Sequence, residues 1–310
     1  MTTSSSTYTI QDLITDYKAF IDQSLEQVLT KHPVPEYSKS KIQESVSYSV
    51  SNGGKRLRAI LAMISAEAVL NEPKSLGKTN PALALAMALE LVHSGSLIHD
   101  DLPCMDDDDL RRGKPANHKV FGEDNALLAG DFLLVHPLLV LNELKLSAEL
   151  KLEIINNFNL AIQEMIIGQS LDLSLAKEKE ATNEDYPMTK RMQELKTGAL
   201  IKLSVVEAAR AAGANTEQLE ALKLYAKNLG LAFQVVDDIL DQTVTTEELG
   251  KTAGKDEAQN KQTYVKKLGL QGAKDFAEGL ILEAKEVLKD KKLFTAKLFT
   301  VADYVIFRKN

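Results

Sequence analysis

The sequence predicts an all-α fold, and three observations carry that expectation. Apolar residues recur at i, i+3, i+4 spacing along almost the whole chain. No stretch alternates apolar and polar residues over the length of a strand. Proline, glycine and asparagine fall where helices have to stop: Pro33 and Pro35, Pro73 and Gly77, Pro115, Pro187, Gly213. On this pattern helices are expected near 10–31, 36–52, 56–70, 81–102, 122–142, 147–173, 189–212, 216–243, 270–289 and 296–307.

Local chemistry supports several boundaries. Asn80-Pro81 is an N-cap followed by proline at the first helical position, where the missing N–H has no helical partner to lose. Asn215 and Gln218 have the spacing of a capping box. The polar, Gly- and Lys-rich segment 245–262 reads as a loop over a site. No repeat and no Gly/Ser linker divides the chain, so a single domain over 1–310 is expected.

Composition excludes some functions. A hydrophobic share of 44% and a charged share of 26% are those of an ordinary globular protein with a sizeable core. The net charge of −7 argues against a nucleic-acid partner, because phosphate backbones are met by basic surfaces. Cys104 is the one cysteine, which rules out an intramolecular disulfide and suits a reducing cytoplasm. The N-terminus MTTSSSTYTI lacks the blocks of a secretory signal. The apolar run Leu133–Leu141 is broken by His136 and Pro137 and falls short of the ~20 residues a bilayer requires. No integral membrane segment is therefore expected.

The chemistry concentrates in two acidic stretches. Between Ser96 and Asp131, the carboxylates Asp100, Asp101 and Asp106 to Asp109 crowd one segment beside Arg111 and Arg112. Like charges this close raise one another's pKa unless cations hold them. Pro103 cannot continue a helix, so the chain should bulge there; removing a two-residue bulge puts Asp106 one turn from Asp100, on the same face. The second stretch, FQVVDDILD, sets Asp237 and Asp241 at i, i+4 with Asp238 between them on an apolar helix. Unpartnered acids are too costly on such a helix, so the two clusters are expected to face each other across a cleft. Carboxylate oxygens without His or Cys nearby favour Mg²⁺, Mn²⁺ or Ca²⁺, and Mg²⁺ so held completes its shell with substrate phosphates.

The ordered set GGKRLR, ELVH, LIHDDLPCMD, RRGKP, GQSLDL, KTG, FQVVDDILD and GKTAGKD, from about Gly53 to the C-terminus, resembles the trans-isoprenyl diphosphate synthases. The resemblance is nearest to the geranylgeranyl and farnesyl diphosphate synthases. It implies a helical bundle around a central cleft, a homodimer, and Mg²⁺ as cofactor, three ions in number, with Mn²⁺ a possible substitute. It implies condensation of isopentenyl diphosphate with an allylic diphosphate (dimethylallyl, geranyl or farnesyl). Terpene cyclases share the acid motifs and catalytically silent partner subunits share the fold. A separate basic set for a second diphosphate argues against the first, and complete acid motifs argue against the second.

Matched residue by residue, the resemblance gives Asp100 and Asp106 two of the ions and Asp237 the third, with Asp101, Asp238 and Asp241 orienting ligands or waters around them. Arg111, Lys196 and Lys251 would meet the allylic diphosphate, with Lys255 adding to the same loop. Thr197 and Gln234 would steady the carbocation. Lys55, Arg58, His93 and Arg112 would bind isopentenyl diphosphate, although a satisfied core histidine is the other reading of His93. Asp107, Asp108 and Asp109 match no ligand position and read as solvated surface, and nothing pairs Cys104 with a base. Gly95 stands where farnesyl-making relatives carry an aromatic pocket floor. Its lack of a ring points to a twenty-carbon product, unless it only allows close helix packing.

Overall fold

The computed structural model describes residues 9–31, 40–71, 80–175, 186–243 and 263–308. Among these, thirteen α-helices and one π-turn account for nearly all regular structure: α1 (Ile10–Lys31), α2 (Ile42–Ser51), α3 (Leu57–Leu70), α4 (Leu83–Asp100), α5 (Asn117–Phe121), α6 (Glu123–Val135), α7 (Pro137–Leu141), α8 (Ala148–Leu175), α9 (Tyr186–Gln193), the π-turn (Glu194–Gly198), α10 (Ala199–Ala211), α11 (Thr216–Thr243), α12 (Tyr264–Glu286) and α13 (Ala296–Phe307).

The centre is formed by helices that are apolar on nearly every side. In α3 every residue from Ala59 to Ala68 is buried, and α4 and α10 bury most of their length, which a helix does only when other helices surround it. α3 packs on α10 and α4, and α4 on α6, with alanines such as Ala62, Ala66, Ala88 and Ala208 among the larger apolar side chains. α11 joins α10 on one side and α12 on the other. The amphipathic outer helices, α1 among them, offer only one stripe, with Leu13, Tyr17, Ile21 and Leu25 inward.

Two buried charges are fixed by partners distant in sequence. Glu67 of α3 accepts hydrogen bonds from Tyr17 (2.6 Å) and from Lys297 of α13 (2.6 Å), stapling both ends of the chain to the core. Glu90 of α4 accepts from Arg56 (3.4 Å) and from the Ala59 backbone (3.2 Å). Arg56 also bonds Asp22 and the Val50 carbonyl.

Several expectations need correction. The helix expected over 122–142 is two, because Pro137 removes a backbone donor and starts a new helix after His136. The stretch Glu123–Leu141 also exceeds the short apolar run anticipated: among the described residues it is long and apolar enough to cross a membrane (mean hydropathy 1.4), yet 44% of it is buried here and it packs as a broken pair on α4. The expected helix 189–212 begins at Tyr186 and contains the π-turn, while 270–289 begins at Tyr264, with Gly269 at φ 71° marking a kink. The absence of strands is nearly but not wholly met. Leu110–Arg111 pairs with Lys114–Pro115 in a minimal antiparallel hairpin, turned by Arg112 and Gly113 at positive φ.

Lys297→Met should cost about 3 kcal/mol or more, since it leaves Glu67 buried without its cation. Denaturant unfolding would check this; a loss well under 1 kcal/mol would mean that Tyr17 alone satisfies the carboxylate.

Candidate active site

A cleft of about 790 Å³ opens between α4, α8, the π-turn, α10 and α11. Its two acidic walls come from the two motifs. At the end of α4 the chain bulges over Leu102–Met105, and the Asp106 N–H donates to the Asp100 carbonyl at 2.9 Å. A six-residue separation thus does the work of a four-residue one, and Asp100 and Asp106 share the cleft lining. On the opposite wall α11 presents Asp237 and Asp238. Asp241, one turn on, is buried outside the lining.

Basic side chains from three distant elements hold these acids. Arg111 forks onto Asp101, with Nε 3.0 and 3.1 Å from its two oxygens, and reaches Asp108 at 3.4 Å. Lys196 donates to Asp172 of α8 at 2.7 Å. Arg308 donates to Asp237 at 2.5 Å and to the Phe233 carbonyl at 2.8 Å, its guanidinium stacked on the Phe233 ring. Burial pushes the Asp100 carboxyl up to about 6; Lys196 opposes that shift and Asp106 adds to it. Burial works against the charge of Lys196, but Asp172, Asp100 and Asp106 outweigh it and hold its pKa above the usual lysine value.

The π-turn explains how Lys196 and Thr197 reach the cleft. One extra residue in a helical turn swings side chains out of the ordinary register. Gly168 makes room: a Cβ there would lie 2.3 Å from the Lys196 nitrogen. On the other side, a Cβ at Gly230 would meet the Gly198 Cα at 3.3 Å. From this seat the Thr197 hydroxyl donates to Gln234 (3.2 Å), Gln234 donates to Asp238 (3.4 Å), and Asp238 accepts the Tyr264 N–H (2.9 Å).

A cationic corner adjoins the acids. Arg58 Nη1 and His93 Nε2 lie 3.2 Å apart, and both side chains line the cleft. Burial first, and then Arg58, Arg112, Arg111 and Arg56, hold the His93 pKa well below its ordinary value, so this imidazole is neutral. Arg112 donates to the Gly53 carbonyl at 2.6 Å; a Cβ at Gly54 would stand 2.7 Å from its guanidinium carbon, which makes glycine there a condition of its seat. Lys55 lies 5.5 Å from the Tyr304 ring centre. Neither Lys55 nor Arg112 is part of the main cleft lining, although Arg112 borders a small adjoining recess with Arg111.

The expectation for Gly95 fails on direction. A Cβ there would meet the Leu133 Cβ at 2.8 Å and the Gly130 carbonyl at 3.0 Å, so Gly95 faces α6 and permits close helix packing rather than opening the cleft. Ser96 and Leu97 face the cleft instead. Lys251 and Lys255 lie outside the described residues. Sequence reasoning missed Asp172 and Gln169, although both stand in the motif GQSLDL; the Gln169 amide is buried in the cleft lining with neither polar atom hydrogen-bonded. It also missed Arg308, which no motif marks, and Asp131, 3.4 Å from His99 at the cleft edge.

The donor set fits hard divalent ions. Asp100 and Asp106 on one wall and Asp237 on the other offer carboxylate oxygens, and a cation beside Asp100 would oppose the burial and the Asp106 charge that raise its pKa. Asp101 is engaged by Arg111, which suits an orienting role better than direct ligation.

A helical cleft with facing carboxylate walls beside the Arg58–His93 corner is suited to phosphate groups met through divalent ions. The polyprenyl synthetase family model matches residues 39–295, and the chain belongs to that family. It is 40% identical to the chloroplastic geranylgeranyl pyrophosphate synthase of Catharanthus roseus, over 95% of this chain and 82% of that protein. It is 37% identical to the farnesyl diphosphate synthase of Micrococcus luteus, over 96% and 99%. Among solved structures, an FPP/GFPP synthase from Zymomonas mobilis superposes with a TM-score of 0.81 at 32% identity, covering 96% of this chain and 98% of that one.

Two outcomes are expected. Because Asp100 titrates near pH 6 and only its carboxylate binds a cation, activity should fall as pH drops through that value, and raising Mg²⁺ should move the acid limb lower. An acid limb that is independent of Mg²⁺ would assign the titration elsewhere. Gly168→Ala should cost about 1–3 kcal/mol by overpacking and should lower kcat by displacing Lys196. Wild-type stability and kcat together would show that the π-turn yields freely.

Proposed function

We propose that this protein is a Mg²⁺-dependent short-chain prenyltransferase that condenses isopentenyl diphosphate with an allylic diphosphate, with geranylgeranyl diphosphate as its main product. The observation that carries the reading is the pairing, in one cleft, of two facing acid walls with the Arg58–His93 corner. Two diphosphates need two different receptors, and a cyclase needs only one.

In this reading Asp100, Asp106 and Asp237 would hold three Mg²⁺ ions, with Asp238 and Asp101 aligning ligands and waters. Ions held there would supply positive charge that stabilises the departing diphosphate. Lys196, kept protonated by its three acid neighbours, adds a fixed positive charge beside the leaving group. The allylic C–O bond breaks to give pyrophosphate and an allylic cation. The Thr197 hydroxyl and the Gln234 and Gln169 amides lie in the same cleft and would steady that cation through their oxygens. Arg58, Arg112, Lys55 and neutral His93 hold isopentenyl diphosphate so that its double bond attacks the cation. A proton is then lost to the released pyrophosphate, and no enzyme nucleophile takes part.

Product size rests on what lines the depth of the cleft. The described lining carries Ser96, Leu97, Leu134, Met165 and Leu200, and no Phe or Tyr. Ser96 lies one helical turn before Asp100 on the cleft side of α4, and a hydroxymethyl group leaves room that a ring would fill. Farnesyl diphosphate is the alternative product. A homodimer is also proposed: Leu127, Leu128 and Val135 of α6 and Leu139 of α7 are all about half exposed or more, a run of apolar surface suited to a second copy.

The test incubates the protein with labelled isopentenyl diphosphate, Mg²⁺ and each allylic primer, with products sized by mass spectrometry. Twenty-carbon product is expected from wild type, with a shift toward fifteen carbons in Ser96→Phe. Asp237→Asn should lose about 100-fold or more in turnover while remaining folded. A fifteen-carbon wild-type product would overturn the product assignment, and no incorporation from any primer would overturn the activity.

A further inference from the structure

The acid run that follows the cleft motif turns its side chains alternately in and out. Asp106 and Asp108 line the cleft, whereas Asp107 and Asp109 are exposed beyond it. Asp107 takes φ 49°, a left-handed conformation that aspartate tolerates better than most residues and that swings its carboxylate away from its neighbours. The hairpin then returns the chain: the Ala116 N–H donates to the Asp109 carbonyl at 2.8 Å, and α5 follows at once. This return places His118 beneath the two exposed acids. One ligand atom from each of Asp107, Asp109 and His118 lies within 4.8 Å of the other two.

His118 supplies the independent observation. It is only 7% exposed, and both ring nitrogens are buried without a hydrogen-bond partner. A neutral imidazole carries one donor and one acceptor, and leaving both unsatisfied in the interior is costly. A cation on the acceptor nitrogen would satisfy it. One cation already sits against the cluster: the Lys119 ammonium lies 2.6 Å from a carboxylate oxygen of Asp109.

We infer that Asp107, Asp109 and His118 form a second cation site, for a divalent transition-metal ion of the Zn²⁺ type, distinct from the oxygen-lined sites of the cleft. Two carboxylate oxygens with one imidazole nitrogen suit Zn²⁺, Mn²⁺ or Co²⁺ rather than Mg²⁺. Three protein ligands leave positions for water. The ion would clamp the acid run to the hairpin and so hold Asp106 and Asp108 in their inward register. The inference does not depend on the prenyl-transfer reading.

The test uses the whole protein in excess Mg²⁺, which occupies the oxygen-lined sites, and titrates Zn²⁺ by calorimetry. One equivalent is expected to bind. Asp107→Asn and His118→Gln should each weaken it tenfold or more, and Lys119→Met should strengthen it by removing the competing ammonium. Bound Zn²⁺ should also raise the Tm of wild type more than that of Asp107→Asn. If His118→Gln does not fold, Asp107→Asn and Lys119→Met decide the matter, since both positions are exposed. The inference is overturned if no Zn²⁺ binds under excess Mg²⁺, or if it binds with the same affinity in Asp107→Asn and Lys119→Met as in wild type.

Discussion

Charge balance among buried carboxylates is the constraint that the rest of the structure serves. A carboxylate withdrawn from water is tolerated only with a cation or donors beside it. Three acids in and around the cleft are met by basic groups from different parts of the chain: Asp101 by Arg111 of the hairpin, Asp172 by Lys196 of the π-turn, and Asp237 by Arg308 after the last helix. Asp100 is met differently: burial raises its pKa to about 6, with Lys196 opposing the shift and Asp106 adding to it. A divalent ion beside it would favour its charged form. The same rule operates away from chemistry, where Glu67 and Glu90 join the chain ends and the start of α3 to the core.

Glycine enters this scheme at close approaches rather than as flexible linker. Gly168 lets α8 pass against the backbone that carries Lys196, and Gly54 leaves the space in which the Arg112 guanidinium lies. In both cases a methyl group would displace a charged side chain from the site. A packing constraint is thereby converted into an electrostatic one, because a fixed charge acts strongly only when it is held close in a water-poor environment.

The helical fold was readable because its signal is periodic and local. The bulge after Asp100 was readable too, from Pro103 and the spacing of the acids, and the 2.9 Å bond from Asp106 to Asp100 is its direct outcome. What escaped depended on rotation about helix axes or on distance along the chain. Gly95 is five residues from Asp100, which on a helix is far round from the cleft face, and spacing to a motif did not reveal that α6 covers it. Arg308 meets Asp237 across 71 residues and follows the last helix without any motif of its own. The π-turn was invisible because one inserted residue leaves the apolar period nearly unchanged. The fork of Arg111 onto Asp101 shows the opposite case: both residues were singled out, but only geometry shows that they engage each other.

The acid walls and the corner of Arg58 and His93 differ in the kind of charge they carry, and in the proposed reading that difference selects which diphosphate is ionised. At the acid walls a diphosphate can be held only through divalent ions, which withdraw electrons from it and stabilise it as a leaving group. At the corner of Arg58, His93 and Arg112 the charge is already positive, and the arginines suppress protonation of His93. In the proposed reading a diphosphate there is bound directly by guanidinium groups, which neutralise it without strongly polarising its C–O bond. On that reading one diphosphate is activated and the other only anchored, although the two groups are chemically alike. The proposed order of the condensation, ionisation of the allylic partner and attack by the other, then rests on where the chain places its acids and its arginines.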